Sequence, residues 1–173
     1  NLPKSMPMIK NLLLVIFFSI LASQVNAEEV KKMGSHKDWT TYVMNSENGK
    51  VCFAQSKPVL QSPKDNLRDA RLFVSFRPGE KITNEISTTA GYEFNNKNSV
   101  VARSGKNKYK LDLIQDSFAW MTSSKLEIKM IKTMKKGSRI MITGYNQNGS
   151  QTIDHYSLLG FTKAYNATKA NCG

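Results

Sequence analysis

Three residue types that hydrolases combine in a catalytic triad occur within four positions near the end of the chain: Asp154, His155 and Ser157. Residues 151–158 are predicted to form the second strand of a β-hairpin, because an Asn-Gly turn signal precedes them. Alternation along a strand points Asp154 away from His155, and it spaces His155 and Ser157 about 6.6 Å apart with parallel side chains. A general base has to come within about 2.6–3.2 Å of its nucleophile. The pattern therefore argues against a triad. Asp154 is expected to face solvent or accept hydrogen bonds near the hairpin, and Ser157 to bond loose backbone groups.

The sequence contains few residues that could bind a metal ion or a cofactor. There are two histidines and two cysteines, without a C-x-x-C motif, so no zinc or haem site and no cofactor are predicted. An even pair of cysteines in an exported chain most simply forms one disulfide, here Cys52–Cys172, with two unrelated thiols as the alternative. The bridge would close nearly the whole domain into a loop and stabilise it by about 4–5 kcal/mol in the chain-entropy model.

The beginning of the chain has the pattern of a secretory signal peptide. Lys10 precedes an apolar run at 12–21, and small residues at 25–27 suggest cleavage after Ala27. A transmembrane anchor is the alternative, but about 10 apolar residues fall short of the ~20 that span a bilayer. We therefore expect an exported protein, periplasmic or carried to the cell surface, without a transmembrane segment in the mature chain.

The formal net charge is +12, and loss of Lys4 and Lys10 with the signal peptide would leave +10. Such an excess favours an anionic partner, which for an exported protein means an envelope or host-surface component rather than nucleic acid. A compositional bias of the source organism is the alternative explanation.

After a polar lead-in at 28–37, a single domain is predicted over residues 38–173. Its short β-rich segments at regular spacing indicate a sandwich or barrel. In the segment 108–113, Tyr109, Leu111 and Leu113 are expected to face inward. The predicted strands cover residues 39–44, 50–55, 70–77, 82–87, 92–94, 99–103, 108–113, 138–145 and 151–158.

A helix is predicted over residues 123–136, with Ser123 or Ser124 as its cap. Its apolar stripe would consist of Leu126, Met130 and Met134, with Ile131 beside them. The lysines of this segment form the densest positive patch of the chain, so they are a candidate contact face, with an ordinary solvated face as the alternative. They are Lys125, Lys129, Lys132, Lys135 and Lys136.

A second, C-terminal helix is predicted after Gly160, with Thr162 as a candidate N-cap. Phe161 and Tyr165 would pack inward, and Cys172 would return to the strand that carries Cys52. The disulfide would then attach a helix that is weakly stable alone.

Several segments together resemble the invasion-associated locus B family, small exported proteins of alphaproteobacteria. They are WT at 39–40, CFAQSKPV at 52–59, VSFRP at 74–78, GYEF at 91–94, MKKG at 134–137 and, most specifically, YSLLGF at 156–161 within a longer match at 154–164. The similarity covers roughly residues 37–172. Longer members carry further cysteines that this chain lacks, so their disulfide pairing cannot be transferred.

The resemblance implies a mainly β fold, an immunoglobulin-like β-sandwich, here with one short helix before the last hairpin and a short C-terminal helix. It also implies no catalytic activity, no cofactor and a role in host-cell invasion or interaction. The motif residues would be structural: Asp154, Tyr156, Ser157, Leu158, Gly160 and Phe161.

Three classes of function follow from these patterns. The leading interpretation is an exported, non-enzymatic protein of the bacterial envelope that contacts another macromolecule. The alternative is a periplasmic binding or carrier protein for a small acidic or lipidic ligand, with Tyr92, Phe94 and Trp120 lining its pocket. An enzyme with residues assembled from distant strands is the third class. The sequence leaves the oligomeric state open.

Overall fold

The computed structural model describes residues 28–173, which form twelve strands and two α-helices. A single 3-10 turn, Pro78–Glu80, follows the fifth strand. The elements are β1 (Lys31–His36), β2 (Trp39–Ser46), β3 (Gly49–Ser56), β4 (Leu60–Ser62), β5 (Arg71–Arg77), β6 (Ile82–Thr89), β7 (Val100–Ser104), β8 (Asn107–Leu111), β9 (Leu113–Gln115), β10 (Phe118–Trp120), α1 (Ser124–Lys136), β11 (Arg139–Tyr145), β12 (Gln151–Ser157) and α2 (Phe161–Cys172).

The strands form two sheets with antiparallel pairing throughout. The larger sheet has seven strands in the order β1-β2-β3-β5-β6-β10-β9, and the smaller sheet has five in the order β4-β12-β11-β7-β8. Their inner faces share one apolar core with both helices. The mainly β sandwich, the helix before the last hairpin and the C-terminal helix are thereby confirmed.

Alternation decides which residues of each strand reach the core. On β5, Leu72, Val74 and Phe76 are buried while the residues between them are half-buried, as the sequence predicted. On β12 the same alternation buries Asp154 and Tyr156 and leaves His155 half-buried on the outer face. The prediction that Asp154 and His155 point to opposite faces is confirmed.

Helix α1 lies against β6, and its buried stripe differs from the predicted one. Ser123 is the N-cap, and its hydroxyl accepts a hydrogen bond from the backbone N–H of Leu126 at 3.3 Å. Leu126 itself is 42% exposed, so its predicted place in the core is wrong. The buried positions are Glu127, Met130, Ile131 and Met134. Glu127 replaces Leu126 because its carboxylate accepts a hydrogen bond from the buried N–H of Ile86 at 2.7 Å.

Helix α2 packs on the inner side of the larger sheet. The ring of Phe161 meets that of Trp39 edge-on at 4.9 Å, and Tyr165 lies 5.7 Å from Phe76 between ring centroids. The helix begins after Gly160, which takes a positive φ of 86°, so the predicted cap at Thr162 is wrong. The disulfide Cys52–Cys172 is present, with a sequence separation of 120. It joins the last turn of α2 to β3.

Three further predictions need correction. The polar lead-in contains a strand, β1, which pairs with β2. Leu113 is 54% exposed, because β8 ends at Leu111 and a separate edge strand begins at Leu113. Residues 92–94 form only an isolated bridge, between Phe94 and Asn146.

The predicted signal peptide, residues 1–27, lies outside the described residues. Within residues 28–173, neither helix has the length and apolar composition of a membrane span.

Candidate functional site

An open groove of about 920 Å³ lies where the C-terminal end of α1 meets the β7–β8 hairpin and the start of β11. Five basic side chains line it, and no carboxylate does. Except for Met141, the other lining residues are small or polar. The five basic residues define what we call the basic groove: Arg103, Lys106, Lys132, Lys136 and Arg139.

The smaller sheet directs two of these cations outward. Arg103 is exposed on β7 between the buried Ala102 and Ser104, and Arg139 is exposed on β11 beside the buried Ile140. Arg103 pairs in register with Met141, so the two strands present their outward side chains on one face. Strand alternation therefore places both guanidinium groups on the side of the groove.

The helix supplies the other wall. Lys125, Lys129, Lys132 and Lys136 follow one another at spacings of four, three and four residues, which places them on one face of α1. All four are exposed, and the last two reach the groove. Two lysines of the contact face predicted from the sequence, Lys132 and Lys136, therefore line the groove. Lys125 and Lys129 lie on the same face of α1, closer to its N-terminal end.

Lys135 does not belong to this face. Its ammonium group lies 4.1 Å from the centroid of the Tyr165 ring, in a cation–π contact between α1 and α2. Lys135 is therefore directed towards α2 and does not line the groove.

Gly137 lies where α1 comes close to the β7–β8 hairpin. A Cβ at this position would lie 3.0 Å from the Ser104 hydroxyl oxygen and 3.1 Å from a methyl carbon of Leu158, closer than nearly all such contacts. Tyr109 of β8 shares a 2.6 Å hydrogen bond with the hydroxyl of Thr133. These contacts hold Lys132 and Lys136 opposite the strands that carry Arg103 and Arg139.

The five groove cations have no side-chain partner within residues 28–173. Among residues 28–173, none of them forms an ion pair or donates a side-chain hydrogen bond. The C-terminal end of α1 carries the negative end of the helix dipole, so binding of an anion has to come from the side chains. A phosphate, sulfate or carboxylate group in the groove would relieve the repulsion among these cations.

The motif residue Asp154 has a structural position: of its two expected roles, exposure to solvent is wrong, and it accepts hydrogen bonds instead. Its side chain is 2% exposed. Its two carboxylate oxygens accept hydrogen bonds from the two terminal nitrogens of Arg68, at 2.7 and 3.0 Å. Gln61 of β4 donates a third hydrogen bond at 3.0 Å. Arg68 also donates to the carbonyl oxygen of Ala90 at 2.8 Å. This buried ion pair ties β12 to β4 and to the loop before β5.

The segment 156–161 builds the junction between β12, α2 and the β1–β2 turn. The hydroxyl of Ser157 accepts from the N–H of Leu159 at 3.2 Å, as predicted for loose backbone groups. The carbonyl oxygen of Ser157 accepts from the indole of Trp39 at 2.9 Å. A Cβ at Gly160 would collide with the carbonyl oxygen of His36, so only glycine fits there. The remaining motif side chains are buried in the core: Tyr156, Leu158 and Phe161.

No triad forms from Asp154, His155 and Ser157. Asp154 is bound to Arg68 on the inner face, while the ring of His155 lies on the other face of the strand. Among the described residues there is also no group of three or more histidine, cysteine, aspartate or glutamate side chains that could hold a metal ion.

The aromatic residues predicted to line a carrier pocket are not gathered around one cavity. Phe94 is buried in the core, 5.5 Å from Tyr92 in a T-shaped contact. The hydroxyl of Tyr92 shares a 2.6 Å hydrogen bond with Thr152, and burial raises its pKa above the ordinary value. Trp120 stacks on Phe118 on the outer face of the larger sheet.

The sequence analysis missed the groove cations of the smaller sheet and its β7–β8 turn, which are Arg103, Lys106 and Arg139. Arg103 ends one predicted strand, Lys106 lies in the turn after it, and Arg139 is near the start of another, but nothing in a single sequence shows which hairpin lies next to the end of α1. The only indication in the sequence was that all three residues are positively charged.

Comparison with known proteins identifies one family. The family model described as Invasion associated locus B (IalB) protein matches residues 39–169, from the first residue of β2 into α2. No curated protein and no solved structure matches the chain. The match includes most strands of both sheets, the three segments of the basic groove and the 156–161 junction, which confirms the resemblance seen in the sequence. The chain therefore belongs to the IalB family.

Proposed function

We propose that the protein is an exported, non-enzymatic component of the bacterial envelope that binds an anionic envelope or host-surface component through the basic groove. The observation that carries this proposal is an open groove whose lining within residues 28–173 has five cations and no carboxylate, with no ion pair to any of the five in that part of the chain. The family name associates such proteins with invasion, which favours a host-surface partner for this chain as well.

Export is supported by two independent features. The first 27 residues have the charge and apolar pattern of a signal peptide. The disulfide Cys52–Cys172 is of the kind that persists in oxidising compartments and is rare in the cytosol.

A binding role rather than catalysis is supported by the contents of the site. The groove is lined by lysine, arginine, small and polar uncharged side chains and Met141, and no histidine or carboxylate among its lining residues could transfer protons. Asp154 and Ser157 of the 154–157 segment serve the fold instead, and His155 lies on the opposite face of the strand from Asp154. The carrier alternative loses support because Tyr92, Phe94 and Trp120 do not share a cavity.

Vesicle binding tests the proposal. We expect the purified protein to float with vesicles that contain phosphatidylglycerol and not with pure phosphatidylcholine, and to dissociate at about 0.5 M salt because exposed charges are then screened. Lys132→Glu with Lys136→Glu should abolish flotation. The matched control, Lys31→Glu with Lys163→Glu, changes net charge equally at exposed positions outside the groove and should retain most of it.

Equal loss in both double variants would show a diffuse charge effect and contradict a site at the groove. Tighter binding to duplex DNA than to the anionic vesicles would contradict an envelope partner. Protease treatment of intact and lysed cells then separates the two places of action: digestion on intact cells is expected for a host-surface partner, and digestion only after lysis for an envelope partner.

A further inference from the structure

The outer face of the larger sheet carries a continuous band of aromatic side chains. The rings lie on β2, β3, β5 and β10, and successive centroids are 5.2, 6.0, 6.1 and 5.7 Å apart. In order, this aromatic band consists of Tyr42, Phe53, Phe73, Phe118 and Trp120.

The register of the sheet explains how these rings meet. Tyr42 is paired with Phe53, while Phe73 and Trp120 both flank Ser87 of β6. Ser87 is only 6% exposed although it points to the outer face, because large rings stand on both sides of it. The band spans five neighbouring strands, which corresponds to about 19 Å at the usual strand spacing.

No described element covers this band. All five rings are half-buried, and Leu113 at the sheet edge extends the row of Trp120 with a 54% exposed side chain. The outward face of an antiparallel sheet normally carries polar residues. A contiguous apolar strip in that position marks an interaction surface more often than a scattered single side chain does.

Hydrogen-bonding groups line one side of the band. Gln55 donates to the Tyr42 hydroxyl at 3.5 Å and accepts from Arg71 at 3.4 Å. Arg71 in turn holds the carboxylate of Asp69 through two hydrogen bonds, at 3.0 and 3.2 Å. These bonds lower the pKa of Asp69, which keeps its carboxylate ionised.

Aromatic and polar groups meet in an open cleft of about 650 Å³. Phe73 and Phe118 form its apolar part, while Asp69, Arg71 and Glu93 supply charged donors and acceptors. The two carboxylates disfavour a polyanion, in contrast to the basic groove. A pyranose ring has the complementary character, because its C–H face packs on aromatic rings and its hydroxyls need both donors and acceptors at the rim.

We propose that the aromatic band and this cleft bind a neutral glycan chain, with sugar rings stacked on Phe73, Phe118 and Trp120 and hydroxyls bonded to Asp69 and Arg71. The site is separate from the basic groove and does not depend on its function. A linear glycan fits better than a single sugar, since the band is several rings long.

Intrinsic fluorescence tests this proposal directly. The chain has two tryptophans, and Trp39 is fully buried, so a change in emission on titration with a glycan reports Trp120. We would titrate the protein with cellohexaose, chitohexaose and maltohexaose and confirm affinities by calorimetry. At least one should bind with a change in emission. Trp120→Phe should keep the affinity and lose the emission change.

Truncation of the band should weaken binding about tenfold for each stacked ring, as in Trp120→Ala, and similarly for Arg71→Ala. Tyr145→Ala, a half-buried aromatic residue of the smaller sheet, is the matched control and should bind normally. Lack of binding to all three glycans would overturn the proposal. So would binding that Trp120→Ala leaves unchanged, or a wild-type dimer that this variant converts to a monomer, since the band would then join two copies.

Discussion

Glu127 shows how a single polar residue can determine the placement of a helix. The residue is 7% exposed, and its carboxylate accepts a hydrogen bond from the backbone N–H of Ile86 at 2.7 Å. Burial, with a smaller contribution from nearby Glu85, raises the pKa of Glu127 to about 7 from an ordinary value of 4.5. The folded protein therefore holds a proton on this group over a pH range in which the unfolded chain has lost it.

The free energy of unfolding should accordingly depend on pH through Glu127. The stabilisation is fully present below pH 4.5 and is lost as pH rises through 7, because the folded state then loses a proton that it bound more tightly. At 1.36 kcal/mol per pKa unit, the upper limit is about 3 kcal/mol. The Glu127→Gln variant keeps an oxygen that can accept the hydrogen bond from the Ile86 N–H, but it has no proton to lose. It should therefore remove this pH-dependent part of the free energy of unfolding. Urea unfolding from pH 4.5 to 8 measures it, and identical profiles for the two proteins would contradict the assignment.

The Arg68–Asp154 pair should be essential to stability, since removal of one partner leaves a buried charge unpaired. We expect Asp154→Ala to cost about 3–5 kcal/mol in urea unfolding. Asp69→Ala is the matched control, because its pair with Arg71 is exposed and should be worth at most about 1 kcal/mol. Equal small losses in both variants would show that the buried pair is dispensable.

At the scale of elements, α2 depends on two anchors, the disulfide and Phe161. Replacement of Cys172 by serine frees a loop of 120 residues and should cost roughly 4–5 kcal/mol in the chain-entropy model. Thermal unfolding of the variant, compared with the wild type under oxidising and reducing conditions, measures the loss. Free thiols in the purified, unreduced wild-type protein would contradict this account.

Phe161 should act as the apolar anchor of α2 because its ring is fully buried against Trp39. We expect Phe161→Ala to cost about 3–5 kcal/mol. Leu159→Ala, two residues earlier and 57% exposed, should change stability by less than about 0.5 kcal/mol. A similar cost for the two substitutions in urea unfolding would mean that α2 is not held by Phe161.

The sequence predicted most elements because their periodicity is strong, as in β5 and the β11–β12 hairpin. The sequence analysis was wrong where a tertiary contact decides whether a residue is buried or forms a strand. Leu126 matched an apolar stripe, but the N–H of Ile86 gives the neighbouring Glu127 a buried partner. The polar β1 has no apolar alternation and becomes a strand only through pairing with β2.

At the scale of the whole molecule, the candidate site joins segments that are distant in the chain. The sequence identified Lys132 and Lys136 because helical spacing is visible in one segment. Arg103 and Arg139 could not be added, since their placement depends on the order β11-β7-β8 within the smaller sheet. The aromatic band was missed for the same reason: its rings become neighbours only through the register of the larger sheet.

The two surfaces have different chemistry and lie on different sheets. The basic groove presents cations without carboxylates, and the aromatic band presents rings beside a paired acid and base. A protein with both could contact an anionic surface and a neutral glycan at the same time. Charge reversal in the groove should then leave the fluorescence response of Trp120 unchanged.

The most direct test of the central claim is to locate anion binding by nuclear magnetic resonance. We would titrate the ¹⁵N-labelled protein with short inorganic polyphosphate at low salt and follow the backbone amide shifts. The largest changes are expected at residues 103–107 and 132–139, the segments that line the basic groove. Changes concentrated elsewhere, or no changes at all, would contradict the assignment of this groove as the anion-binding site.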